Sequence, residues 1–157
     1  YRTESQSAPA QSGIIIEGEI PMIKCIVGLK GSGKTKQLIQ MVNETVQNEH
    51  GSVICIEKSQ KLTYDINHHC RLIDTVDYAI TGFEGFYGFI CGLFAQNYDI
   101  STIFVDSLFK ITGSEDPAAT KQFFEKLDAF SKKTNISFII TISAELDALP
   151  EIVKLYL

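Results

Sequence analysis

The sequence predicts an α/β fold: one mostly parallel sheet with helices on both faces, in three α/β/α layers. Three observations predict it. Short runs that are apolar throughout alternate with longer stretches of helical period, as in strands buried on both faces of a helix-covered sheet. The first apolar run leads straight into a glycine-rich turn and a helix. A later apolar run ends on an aspartate, as strands that deliver a carboxylate to a site do.

Taken in order, residues 1–13 are rich in Ser, with Pro9 and Gly13, and read as linker. Ile14-Ile15-Ile16 is a short β-like patch that could add a strand to a sheet edge. Residues 1–21 are therefore taken as an extension, linker or fusion remnant outside the core fold, and 22–157 as a single domain without internal repeats. Residues 23–27 form the first strand. A helix follows over about 34–48, with Leu38, Ile39, Met41, Val42 and Val46 on its apolar side and Gly51 stopping it. Residues 52–57 are a second buried strand, and a short one is expected near Leu72-Ile73. Residues 83–96 form a very apolar helix. Residues 102–106 form another strand, and Pro117 opens a helix of about 117–134. Its Phe123, Phe124, Leu127 and Phe130 form the covered face, with Lys126, Lys132 and Lys133 toward water. Residues 137–142 form a further strand, and 152–156 a last one.

Composition narrows the function classes. Hydrophobic residues make up 45% of the 157 and charged residues 21%, the balance of a globular chain with a core rather than a disordered one. A net charge of −5 with a pI near 5.2 argues against a dedicated nucleic-acid binder, which carries a basic stripe. The sequence contains no apolar run of the roughly 20 residues a bilayer span needs. The four cysteines, at 25, 55, 70 and 91, form no C-x-x-C pair. Cys25 and Cys55 read as small buried hydrophobes, and a reducing cytoplasmic setting is expected.

The chemistry-bearing motif is Gly28-Leu29-Lys30-Gly31-Ser32-Gly33-Lys34-Thr35, which matches G-x-x-x-x-G-K-[ST], a phosphate loop. A triphosphate is a dense polyanion, and binding it needs several backbone N–H groups aimed inward at once. Gly31 and Gly33 permit the positive-φ turns that bring backbone close to phosphate. The helix beginning at Lys34 adds its free N–H groups and positive dipole end. The Lys34 ammonium should reach the β- and γ-phosphates, and the Thr35 hydroxyl should ligate Mg²⁺. Gly28, Lys30 and Ser32 complete the loop, with Lys30 either touching phosphate or standing free as a loop lysine. Such a loop needs a carboxylate to hold Mg²⁺ through water. Asp106, at the end of Thr102-Ile103-Phe104-Val105, is the candidate. ATP is expected over GTP, since no Asn-Lys-x-Asp guanine signature occurs.

Other features carry less. His68 and His69 are adjacent, so on extended chain they point apart and converge poorly on one ion. A loop with surface histidines is expected. Gly82, Gly85, Gly88 and Gly92 recur every three or four residues among aromatics in the 82–97 helix. They serve close packing on the sheet, the expectation favoured here, or a face for self-association or a protein partner.

From Met22 onward the chain resembles a family of small bacterial P-loop ATPases, often labelled twitching-motility or PilT-like. The residues that carry the resemblance are Gly28–Thr35, Ile103–Asp106 and the aromatic-glycine stretch Phe83–Phe94. It implies a P-loop NTPase domain with a RecA-like strand order, and nucleotide binding on Gly28, Gly33, Lys34, Thr35 and Asp106. Val105-Asp106-Ser107-Leu108 also resembles the RecA-like group in having no Glu directly after the Asp. In that group a catalytic Glu follows a different strand, which points to Glu57; its other reading is a strand-terminal surface residue. By the same resemblance the strand carrying Thr141 and Ser143 lies between the phosphate-loop strand and the Asp106 strand. Those hydroxyls either sense a γ-phosphate or make plain strand-end hydrogen bonds.

Three functions follow as expectations. The first is a slow ATPase or ATP-dependent switch, with Lys34 and Glu57 as its catalytic residues. Neither Arg2 nor Arg71 has the context of an arginine finger, a group worth about 10³–10⁵ in rate. The second is a nucleoside-type small-molecule kinase, although paired zinc-binding cysteines and an Arg-rich lid are not in the sequence. The third is a nucleotide-binding adaptor without catalysis.

Overall fold

The computed structural model describes residues 22–157, so the 1–21 extension and the Ile14–Ile16 patch lie outside the described residues. The chain runs β1 (Ile23–Gly28), α1 (Lys34–Asn48), β2 (Ser52–Glu57), β3 (Arg71–Asp74), α2 (Phe83–Gln96) and β4 (Ile100–Val105). It continues through α3 (Leu108–Thr112), α4 (Pro117–Thr134), β5 (Ser137–Ser143) and α5 (Glu151–Lys154). The five strands form one all-parallel sheet in the order β1-β5-β4-β2-β3. One strand, β5, separates the phosphate-loop strand from the Asp106 strand, which is the RecA-like order the resemblance implied.

Period two along each strand divides the core into two layers. Ile54 and Ile56 of β2, Ile103 and Val105 of β4, and Phe138 and Ile140 of β5 face α2, α4 and α5. Phe86 and Ile90 of α2 and Phe124 and Leu127 of α4 complete that layer. Val53 and Cys55, Phe104, and Ile139 face the other way, against Leu38 and Val42 of α1 and Leu62 and Ile66 of the β2–β3 connection. Both faces are covered, so the strands carry no polar side of their own.

Helix α4 begins as its sequence demands. Asp116 caps it by accepting from the Ala119 N–H at 2.9 Å, and Pro117 stands in the first turn. Phe123, Phe124 and Leu127 are buried and Phe130 half-buried, with Lys126, Lys132 and Lys133 exposed.

Two expectations fail. Residues 152–156 are not a strand: Glu151–Lys154 is a short helix, α5, set off by Pro150 at its N-terminus. A short apolar run carries no period that separates strand from helix, and Pro150 favours the helical start. The chain beyond α5 still meets the outer edge of β1, where the Tyr156 carbonyl accepts from the Cys25 N–H at 2.7 Å. The second correction concerns α2. Its glycines do not pack on the sheet: Gly85, Gly88 and Gly92 face solvent with nothing within 4 Å of an added Cβ. Phe83, Phe86 and Ile90 are the buried face instead. The large side chains go inward because their burial gains about 1.5–3 kcal/mol each, and that leaves the glycines outside. Helix α3 was not expected. It is one buried turn over which the apolar run after Asp106 continues.

Candidate phosphate-binding site

Parallel pairing brings the strand ends to one edge. Val105 pairs with Ile140 on one side and Ile56 on the other, so Asp106, Thr141 and Glu57 stand at the same level. All three continue the parity of Phe104, Ile139 and Cys55, which is the α1 face of the sheet. Gly28 pairs with Ser143, and the chain leaving Gly28 wraps over this edge into α1.

The loop has the backbone its glycines permit. Gly31 and Gly33 sit at φ +85° and +86°, with nothing within 4 Å of the place a Cβ would take. Gly28 is needed for a different reason: a Cβ there would lie 2.5 Å from Ser32 Oγ. Helix α1 starts with no side-chain cap on Gly33 and no acidic residue in its first turn. Its leading N–H groups are therefore left for an anion. Lys34 is buried, and its Nζ donates to the Leu29 carbonyl at 2.8 Å and to Ser32 Oγ at 3.3 Å. The ammonium is folded into the mouth of the loop, among neutral oxygens that a phosphate would outcompete.

Thr35 and Asp106, which are 71 residues apart in sequence, are joined: Thr35 Oγ1 donates to Asp106 Oδ1 at 3.3 Å. Thr141 Oγ1 donates to the same Oδ1 at 2.9 Å and accepts from the Ser107 N–H at 2.8 Å. Ser107 holds φ +61°, a left-handed conformation for a non-glycine residue, at the point where strain collects in functional sites. Thr35 and Asp106 supply hard oxygens at the end of a phosphate loop, the donor set Mg²⁺ prefers.

Glu57 is 3% exposed, so it is not a surface residue. Burial pushes its carboxyl above the usual range. The Leu62 N–H, donating at 3.4 Å, opposes this, and the nearby Asp106 and Asp74 add to it. The next residues depart from ordinary backbone too: Ser59 holds φ +107°, its N–H donating to Asp74 Oδ1 at 3.0 Å.

These groups open on a cleft of about 710 Å³, large enough for a nucleotide. Of the sequence candidates, Lys30, Gly31, Gly33, Lys34, Thr35, Glu57, Asp106 and Ser143 line it. Gly28, Ser32 and Thr141 do not line it: Ser32 accepts from Lys34 in the loop, and buried Thr141 holds Asp106. Sequence reasoning missed Lys58, Lys61 and Lys110, which also line the cleft. Their positions one and four residues after Glu57, and four after Asp106, were the available signal. The rings of His68 and His69 meet at a tilt of 37°, centroids 4.1 Å apart, in the β2–β3 connection, and neither lines the cleft. Among the described residues no cluster of three or more His, Cys, Asp or Glu forms a metal site.

Comparison with models of protein families and with curated proteins finds no match. Among solved structures, the chain is similar to the flagellar accessory protein FlaH from Methanocaldococcus jannaschii. The identity is 20% and the TM-score 0.52, over 85% of this chain and 65% of that one. This chain thus spans under two thirds of that protein's length. At such identity the likeness bears on the fold alone, and it agrees with the strand order: a three-layer α/β/α, P-loop-like fold of RecA-like type.

Proposed function

We propose that the cleft binds a nucleoside triphosphate with Mg²⁺, ATP above all, and that the protein is a slow ATPase or an ATP-dependent switch. One observation carries this reading. The side chains of Thr35, Asp106 and Thr141, from three segments, converge on one carboxylate oxygen beside a loop whose lysine and uncapped helix end await an anion. A chance match to the loop pattern would not come with a carboxylate delivered to its threonine.

In this reading the loop amides from Lys30 to Thr35 cradle the phosphates and Lys34 binds the β- and γ-phosphates. Thr35 and Asp106 would hold the cation. Bound Mg²⁺ would neutralise charge on the phosphate oxygens. Glu57 accepts the proton of the attacking water, and its raised pKa makes it a stronger base than an exposed carboxylate. Thr141, bonded to Asp106, and Ser143 at the cleft wall report the state of the terminal phosphate to the Ser107 backbone. Turnover is slow because among the described residues the one arginine, Arg71, starts edge strand β3 and does not line the cleft. The solvent-facing glycines of α2 support a further part of the reading, a protein partner or second copy on the 82–97 helix. Within this reading the chain is a small P-loop ATPase of the kind labelled twitching-motility or PilT-like, working in the cytoplasm.

Steady-state hydrolysis of Mg-ATP tests the reading. Slow turnover is expected in the wild type and none in Glu57→Gln, which should still bind ATP. Equal turnover near zero in both would favour a non-catalytic adaptor, and ATP-dependent phosphorylation of an added nucleoside would favour a kinase. Among the described residues no helix is long and apolar enough to cross a membrane.

A further inference from the structure

Six lysines line the cleft in a chain of net charge −5: Lys30, Lys34 and Lys36 from the loop and α1, and Lys58, Lys61 and Lys110 from elsewhere. The second trio has no part in the phosphate loop. Lys58 and Lys61 come from the segment after β2, Lys110 from α3 after β4, so the sheet order places them together at the ends of neighbouring strands. The three carboxylates lining the cleft are Glu57, Asp106 and Glu115. Yet the ion pairs among the described residues, Lys121–Glu125, Lys132–Asp128 and Lys154–Glu151, all lie elsewhere. Lys58, Lys61 and Lys110 line the same cleft, close enough for their charges to act on one another. Desolvation, then Lys61 and Lys58, push the Lys110 ammonium below its usual range, with Asp106 opposing. Cations held side by side without a partner repel, and the arrangement is stabilised when an anion enters between them.

We propose that Lys58, Lys61 and Lys110 form a second anion subsite, which takes the terminal phosphoryl group of the nucleotide held by the phosphate loop. The inference rests on the nucleotide reading and deepens it. The chain then tells triphosphate from diphosphate with its own cations, without one supplied by a partner. The subsite also has a route to the catalytic carboxylate. Lys58 follows Glu57 directly, and Leu62, next to Lys61, donates its N–H to that carboxylate. Drawing Lys58 and Lys61 onto a phosphoryl group repositions the segment that holds Glu57, so triphosphate occupancy sets the site.

The test compares Mg-ATP, in non-hydrolysable form, with Mg-ADP on four proteins: wild type, Lys34→Ala, Lys61→Gln and the double variant Lys61→Gln/Lys110→Gln. Both lysines are exposed, so the variants should fold. The double variant should lose about tenfold in affinity for the triphosphate while its ADP affinity stays within about twofold. Equal losses for both nucleotides, or no loss for either, would overturn the subsite. Lys34→Ala separates the two levels. If it abolishes binding while the double variant behaves as wild type, this inference alone fails; if it changes nothing, the nucleotide reading itself fails. A second readout is acylation of Lys110, followed by mass spectrometry. The triphosphate should protect Lys110 and ADP should not. Equal protection by orthophosphate at the same concentration would assign the subsite to a free phosphoryl ligand and overturn the terminal-phosphate assignment.

Discussion

Thr141→Val probes the join between β4 and β5 at the site. Thr141 is 1% exposed, and its hydroxyl holds two groups at once, the Ser107 N–H at 2.8 Å and Asp106 Oδ1 at 2.9 Å. Valine matches the shape of threonine but removes both bonds. A buried donor left unsatisfied costs about 1–3 kcal/mol, and a hydrogen bond to a charged group contributes about 1.5–3. The two share one hydroxyl and do not add, and Ser107 and Asp106 are only half-buried, so water recovers part of each. A net loss of about 2 kcal/mol remains, which for a chain of this size lowers Tm by about 4–8 °C. Thermal unfolding followed by circular dichroism measures it. Thr141→Ser keeps the hydroxyl and should recover most of the loss. A Tm for the valine variant within about 1 °C of wild type would refute the claim that this hydroxyl ties Asp106 to the strained Ser107 turn.

Three further outcomes are expected. Gly88→Ala, on the solvent face of α2 with open space around it, should stabilise the monomeric chain by about 0.5–1 kcal/mol and raise Tm by about 1–4 °C; a fall in a sample shown to be monomeric would contradict the open surroundings of Gly88. Burial pushes the Cys25 and Cys70 thiols up to about 12 and Cys55 well above its ordinary value, so in the native state a thiol reagent at mildly alkaline pH should react first with half-buried Cys91. Modification of Cys25 or Cys70 at the same rate, with the fold intact, would contradict that burial. The carboxyl of Glu57 is raised in the folded chain, so folding favours its protonated form. Its contribution is fully present below the ordinary value of 4.5 and is lost as pH rises through the raised folded value. The amide of a Glu57→Gln variant stays neutral throughout. Urea unfolding from about pH 4 to 8 should therefore show that variant gaining stability relative to wild type as the wild-type carboxyl ionises, and then levelling off. A difference that stays constant with pH would place Glu57 in water.

Much of this site was legible because its signals are local. The loop spacing from Gly28 to Thr35 encodes both the turn and the helix start, and three apolar residues, Ile103 to Val105, directly before Asp106 mark a strand that must end at an edge. Glu57 was visible only as one of two readings, since its 3% exposure depends on the 58–62 segment folding over it. The lysine trio was not legible. Its members belong to two segments made neighbours by the order β4-β2, and no spacing within one chain reports that. The α2 glycines misled for a related reason: their period marks one face of a helix, but not whether that face meets the sheet or water. Residues 152–156 failed because so short an apolar run has no period to read, and Pro150 set the geometry instead.

On the proposed reading, backbone amides and Lys34 at the head of α1 hold the phosphates of Mg-ATP. Calorimetric titration of Mg-ATP into the wild type and into Lys34→Ala tests it most directly. Saturable one-to-one binding is expected for the wild type and its loss for the alanine variant. No binding to the wild type, or the same affinity in both proteins, would contradict it.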